Sequence, residues 1–167
     1  MSAASGVSNV AQNYEQLSYG GNASQWRGVH RHIIADAVAT RTLLAKEAGA
    51  LCAFDLAAGV VYTLPAPVIG MEFNFITTVT RTSNAHSVVT DAATTFLTGG
   101  IWVGNSGAAT GKYFAGNGTT FVKTTSNGTT TGGIIGDRLT FIAISSTVWF
   151  ASGVLNATGT EATPFST

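Results

Sequence analysis

One stretch of the sequence, VVYTLPAPVIGMEFNFITTV at positions 60–79, restricts the possible folds more than any other part. Two runs rich in β-branched and aromatic residues lie on either side of Pro65 and Pro67, which have no backbone N–H to donate to a sheet. Ala66, between the two prolines, is restricted to extended conformations. The stretch therefore predicts a strand, a rigid corner and a second strand.

The run after the corner has the alternation of a strand with one buried face. Met71, Phe73 and Phe75 alternate with Glu72 and Asn74, which would place the apolar side chains on one face and the polar ones on the other. A strand of this kind packs its apolar face against a second layer. We interpret the corner as the bend that holds two sheets at a fixed angle.

The composition favours strands along the rest of the chain. Charged residues make up only 10% of the sequence, whereas exposed helix surfaces are normally built from Lys, Glu, Gln and Arg. Thr, Val, Phe, Gly and Asn are typical of strands and tight turns. We expect an all-β protein, with an antiparallel β-sandwich or jelly-roll-like domain over residues 42–167 and an extended N-terminal arm and contact segment over residues 1–41.

Three segments have local patterns of their own. Residues 33–50, IIADAVATRTLLAKEAGA, have apolar side chains near helical spacing, so a short helix is an alternative there. Residues 112–123, KYFAGNGTTFVK, predict a β-hairpin with positive φ angles at Asn117 and Gly118. Residues 136–155 predict a final hairpin that turns at Ser145-Ser146-Thr147.

The charge balance limits the possible partners. Eight Lys and Arg residues are matched by eight Asp and Glu, and binding of nucleic acid needs clustered basic residues, so we expect no direct contact with nucleic acid. No apolar run is long enough to predict a membrane span. A chain with 45% hydrophobic residues and so little charge is expected to bury surface in an assembly, and a threonine-coated monomer is the alternative.

The single cysteine and the first residues bear on the compartment. Cys52 is the one cysteine in the sequence, so no internal disulfide can form. It lies in the apolar run ALCAF and is therefore expected in the core. The first residues lack the charged-then-apolar layout of a signal peptide. We therefore expect synthesis and assembly in a reducing cytoplasm.

The N-terminal segment contains the candidate contact residues. Large side chains in an otherwise small and polar stretch would anchor an arm on a neighbouring subunit, and a poorly ordered tail is the alternative. Basic side chains follow as a contact patch. His30 and His32 would point the same way on a strand, but no further ligand has metal-binding spacing, so no metal site is expected. The candidate contact residues are Tyr14, Leu17, Tyr19, Trp26, Arg27, His30, Arg31 and His32.

The sequence contains no recognisable catalytic set. The acidic residues form no local pair with recognisable spacing, no G-x-S-x-G occurs, and Ser152 in FASGV lacks the leading glycine of a nucleophile elbow. No phosphate-binding P-loop or dinucleotide fingerprint is present. We therefore predict a protein that is not an enzyme and has no cofactor.

Two motifs resemble those of β-rich virion surface proteins of tailed bacteriophages. The first is T-L-P-x-P followed by G-x-x-F-x-F, which matches Thr63 to Phe75. The second is a final G-D hairpin with a downstream tryptophan, which matches Gly136, Asp137 and Trp149. The resemblance covers about residues 42–155. Both motifs occur in capsid decoration (cement) proteins and in domains of tail fibres or spikes, and the size of this chain favours a decoration protein.

The resemblance implies partners and a location. A decoration protein would form a homotrimer on the capsid surface of the virion, where it bridges neighbouring subunits of the major capsid protein and stabilises the shell. The alternative is a receptor- or carbohydrate-binding module of a tail fibre or spike. Such a tip would display aromatic residues in the loops at 104–133, but the alternation of Tyr113, Phe114 and Phe121 favours the core of a hairpin.

Overall fold

The computed structural model describes residues 31–167, and this part of the chain is all-β and contains no α-helix. A single turn of 3-10 helix at Ala45–Glu47 is the one helical element within that range. The strands are β1 (Ile33–Ile34), β2 (Thr40–Thr42), β3 (Leu51–Phe54), β4 (Val61–Thr63), β5 (Glu72–Thr77), β6 (His86–Val89), β7 (Phe96–Asn105), β8 (Thr110–Asn117), β9 (Lys123–Ser126), β10 (Arg138–Ala143), β11 (Val148–Asn156) and β12 (Phe165–Ser166).

The strands form two mixed sheets. One sheet has seven strands in the order β1-β3-β5-β10-β11-β7-β8, and the other has five in the order β12-β9-β6-β4-β2. The prediction of purely antiparallel sheets is wrong, because the pairings β1-β3, β3-β5, β2-β4, β4-β6 and β7-β11 are parallel. Among the described residues, the first strand of the sheets is β1, which starts at Ile33.

The parallel pairings follow from how the first half of the chain is wound. From β1 to β6 the chain alternates between the two sheets, so each strand pairs with the strand two positions away in sequence. Parallel neighbours need a crossover connection, which in α/β folds contains a helix. Here each crossover contains a strand of the opposite sheet, and the chain therefore makes parallel strand pairs without helices.

The core lies between the two sheets. The Tyr62 ring of the five-stranded sheet packs edge-on against Phe75 of the seven-stranded sheet, with 5.4 Å between ring centroids. The Tyr62 hydroxyl donates a hydrogen bond of 2.8 Å to the backbone oxygen of Ala53, also in the seven-stranded sheet. Phe75 in turn contacts Phe54 and Phe141. One aromatic cluster therefore joins both sheets.

The stretch at 60–79 folds as its sequence predicts. β4 ends at Thr63, Leu64 is fully buried, and the Pro65 corner leads to Gly70, whose φ of +90° favours glycine. In β5 the side chains alternate between partly exposed and buried, with Phe73 and Phe75 in the core. The final hairpin is also confirmed, as β10 and β11 pair antiparallel around residues 144–147.

One local alternative and one local prediction are wrong. Residues 33–50 contain β1, β2 and the 3-10 turn instead of the alternative short helix, because β1 pairs with β3 and β2 pairs with β4 as the edge strands of the two sheets. Residues 112–123 do not form a hairpin of their own. β8 pairs with the upstream strand β7, while β9 belongs to the other sheet. Gly118 has the predicted positive φ, but Asn117 does not.

His86 gives the fold a predicted dependence on pH. Its ring is buried and stacks on Phe54, Nδ1 accepts a hydrogen bond from the Val60 N–H, and Nε2 lies 3.3 Å from the Val79 oxygen. Burial lowers the pKa of His86 from its ordinary value of 6.5. Folding thus favours the neutral imidazole. The contribution of neutral His86 to the free energy of unfolding is therefore complete above pH 6.5 and is lost as the pH falls towards the folded-state pKa.

We therefore expect the free energy of unfolding to fall below pH 6.5, with a contribution from His86 of at most about 1.4 kcal/mol per pH unit. In His86→Asn the amide oxygen can still accept from Val60 but does not titrate, so the slope between pH 6.5 and 5 should become shallower. Urea denaturation at several pH values measures this slope. Equal slopes in the two proteins would show that His86 is not held neutral by the fold.

Candidate functional site

The connections around the Pro65 corner lie together at one end of the two sheets, which we call the Pro65 end. Gly70 donates a backbone hydrogen bond to Ala143, and Gly49 donates one to Glu72. These bonds bring the segment 43–50, the corner and the turn at 144–147 side by side. The segment 127–137 lies at the opposite end, because it leads into the start of β10.

Four aliphatic side chains at the Pro65 end are exposed to solvent. Ile69 is 72% exposed and Val68 is 60% exposed, and both lie in the corner. Ile144 is adjacent, since its neighbour Ala143 bonds to Gly70, and Leu44 lies in the segment 43–50 on the other side. We call these residues the apolar end: Leu44, Val68, Ile69 and Ile144.

Two of the predicted contact residues also lie at the Pro65 end. The Arg31 guanidinium is 3.3 Å from the Glu72 carboxylate, and both side chains are partly exposed. The neighbouring His32 is exposed, and its backbone oxygen accepts a hydrogen bond from Leu51. The structure thus brings this part of the basic patch beside the apolar end. The other predicted contacts lie outside the described residues: Tyr14, Leu17, Tyr19, Trp26, Arg27 and His30.

A second exposed surface lies on the outer face of the seven-stranded sheet, opposite to the core. Val154, Trp102 and Tyr113 are direct neighbours across β11, β7 and β8. Trp102 is 47% exposed and Tyr113 is 62% exposed. The expectation that Tyr113 belongs to a hairpin core is therefore wrong, although Phe114 and Phe121 do pack against the core.

The rings of Trp102 and Tyr113 lie over glycines. A Cβ atom at Gly100 would fall 1.8 Å from the Tyr113 hydroxyl oxygen, and one at Gly111 would fall 2.7 Å from the Trp102 ring. A Cβ atom at Gly104 would also lie beside the indole, at 3.6 Å from Nε1. Glycines in β7 and β8 therefore leave the space in which the two rings lie. We call Trp102 and Tyr113 the aromatic platform.

An open groove of about 250 Å³ runs beside the platform, with Arg138 and Thr140 on one side and Ser152 and Val154 on the other. Its polar side chains continue across the sheet as a chain of contacts. Thr140 donates to the Asn74 side chain, which donates to Glu72. The outer face thus has an aromatic half next to a half that offers hydroxyl, amide and guanidinium groups.

Two buried ionisable groups serve the fold. Cys52 is fully buried, which confirms its place in the core. Burial raises the pKa of its thiol to about 12, which opposes formation of the reactive thiolate. The Asp137 carboxylate accepts four hydrogen bonds, from the backbone N–H groups of Gly133 and Ile134 and from the backbone and side chain of Asn156. Burial raises the pKa of Asp137, and these donors oppose that shift.

Within residues 31–167, no group of three or more His, Cys, Asp or Glu side chains is arranged to hold a metal ion. In the same range, no helix has both the length and the hydropathy to cross a membrane.

Comparison with known proteins identifies no relative: no protein-family model, no curated protein and no solved structure matches this chain. The candidate surfaces are therefore interpreted from their own geometry and chemistry.

Proposed function

We propose that this chain is a structural virion protein of a tailed bacteriophage, which decorates and stabilises the capsid by bridging neighbouring subunits of the major capsid protein as a homotrimer. The observation that carries the proposal is the apolar end, where four aliphatic side chains are exposed on a chain with only 10% charged residues. Solvent-exposed aliphatic groups gathered at one end are typical of a protein contact.

The proposed mechanism is mechanical. A β-sandwich stiffened by the proline corner would present the apolar end to the shell, and Arg31 and His32 would add polar contacts at its margin. Each copy would bind the assembled shell more tightly than its separated subunits, and would thus stabilise the assembled state by mass action. Contact area would supply most of the affinity, in agreement with the neutral composition.

A binding assay with heads that lack this protein tests the proposal. We expect the purified chain to saturate such heads, and Ile69→Asp to weaken binding at least about tenfold, because burial of an isoleucine side chain contributes roughly 1.5–3 kcal/mol. Copies per head are counted after sedimentation of the heads.

The matched control is Ile135→Asp, since Ile135 is 61% exposed at the opposite end. It should bind heads as the unchanged protein does. Equal binding by all three proteins would exclude the apolar end as the capsid contact, and failure of the unchanged chain to bind any head would overturn the proposed function.

A further inference from the structure

We propose that the outer face of the seven-stranded sheet is a carbohydrate-binding site, in which the aromatic platform stacks on the sugar rings of a neutral polysaccharide and the neighbouring groove binds its hydroxyl groups. The site is separate from the apolar end and does not depend on the proposed attachment to the capsid. Carbohydrate binding would therefore be available to any assembly on whose surface the chain is exposed.

The glycines and exposed rings of the platform are not the residues expected if this part of the sheet served stability alone. Glycines within paired strands weaken a sheet. Three of them lie beneath or beside the rings: Gly100 in the middle of β7, and Gly104 and Gly111 near the ends of β7 and β8 that face each other. Covering them with Trp102 and Tyr113 offsets part of that cost. About half of each aromatic side chain nevertheless remains exposed. Local departures of this kind are expected at functional sites.

The dimensions suit a short oligosaccharide. The Tyr113 ring reaches the position of Gly100, and the Trp102 ring reaches those of Gly104 and Gly111. Gly100 and Gly104 are four residues apart on one strand, so the platform extends over about 13 Å along β7. An open surface of that length can bind several units of an extended chain.

The chemistry next to the platform also matches a sugar. Saccharides have apolar C–H faces, which pack on aromatic rings, and hydroxyl groups, which need hydrogen-bond partners. Thr140, Ser152 and Arg138 line the groove beside the platform, and Asn74 lies next to Thr140. An apolar surface beside a row of hydrogen-bond donors and acceptors has the two components that such a ligand requires.

Single-stranded nucleic acid also stacks on aromatic side chains, but the low positive charge of this groove argues against it as the ligand. Binding of that kind needs a positively charged groove that follows the phosphates. Arg138 is the one charged side chain among the groove-lining residues. Lys112 on β8 lies 3.9 Å from the Glu161 carboxylate, which offsets its charge.

Native affinity electrophoresis tests the site with defined probes: dextran, laminarin and galactomannan, each cast into a gel. We expect at least one polymer to retard the chain. Calorimetry with an oligosaccharide of that polymer should show affinity at least about tenfold weaker for Trp102→Ala and for Tyr113→Ala, as expected when a central aromatic contact residue is truncated. Ile33→Ala is the control, because Ile33 is exposed on the far edge strand of the same sheet.

Gly100→Ala is the most specific variant. Its new methyl group would displace the Tyr113 ring but leave both aromatic residues in the chain. A platform that binds by ring geometry should lose affinity, whereas a surface that is merely apolar should keep it. The melting temperature of each variant confirms that it is folded.

Three results would overturn the proposal: no retardation by any of the polymers, unchanged binding by Trp102→Ala and Gly100→Ala, or tighter binding of oligo(dT) than of the polysaccharides. Sedimentation of the same variants gives a further outcome. If the unchanged protein forms oligomers but binds no sugar, and Trp102→Ala no longer forms those oligomers, the platform would be a contact between copies of the chain. The Ile69→Asp protein should bind sugar as the unchanged protein does, so failure of the capsid proposal can be distinguished from failure of the carbohydrate proposal.

Discussion

Phe75→Ala is expected to lower the free energy of unfolding by about 4 kcal/mol, a large part of the total for a domain of this size. Phe75 is buried to 99% of its surface and contacts Phe54, Tyr62 and Phe141 at centroid distances of 5.4 to 5.7 Å. Its removal would leave a cavity where the two sheets meet. Well-packed strands on both sides limit how far that cavity can close.

Urea denaturation measures this loss, and Phe150→Ala is the control. Phe150 is of the same residue type but is 38% exposed on the outer face, so its truncation should cost clearly less. If Phe75→Ala lost less than about 1 kcal/mol, the aromatic cluster would not be the contact that holds the two sheets together.

Asp137→Ala is expected to lower the free energy of unfolding by about 3 kcal/mol or more. The change would remove the acceptor for four N–H donors, of which the one on Gly133 is itself in a buried residue. The carboxylate joins the segment before β10 to Asn156 at the end of β11. The loss would therefore destabilise the start of the final hairpin.

Asp137→Asn distinguishes the hydrogen bonds from side-chain size. The amide has nearly the same shape, but its NH₂ group would face N–H donors, so we expect a loss of about 2 kcal/mol. Asp91→Asn, at an exposed acidic residue, should change stability by less than about 0.5 kcal/mol. A loss of similar size at both positions would contradict the role of Asp137.

The residues of the T-L-P-x-P/G-x-x-F-x-F motif and of the final G-D hairpin specify the fold. Leu64, Phe73, Phe75 and Trp149 are buried in the core, and Asp137 binds the segment before its strand. Gly136 has a φ of +97°, which explains the glycine before that aspartate. Buried framework residues of this kind are compatible with several functions, and the functional proposals therefore rest on the exposed surfaces.

The sequence predicted burial better than pairing. The alternation of Phe73 and Phe75 with polar residues identifies the core face of β5, because side chains on a strand alternate with a period of two. The same alternation arises in parallel and antiparallel sheets when one face is covered. The parallel winding of β1 to β6 therefore left no signal in the local pattern.

The position of Tyr113 was missed because a local turn signal competed with an upstream strand. Asn117-Gly118 indicated a turn that would pair residues 112–115 with the next run. The actual turn precedes β8, where the Asn105 side chain accepts hydrogen bonds from Gly107 and Ala108. Glycines at 100, 104 and 111 around Trp102 were the available signal for a ring lying on the sheet.

Cryo-electron microscopy of tailed-phage virions assembled in cells that produce this chain, the particles that the proposed function requires, tests the central claim most directly. The proposed function predicts density for the two-sheet domain on the outside of the head, in trimers at three-fold or quasi-three-fold positions, with Val68 and Ile69 of the apolar end facing the major capsid protein. Density for the domain at the tail tip, or virions that lack the protein, would contradict it.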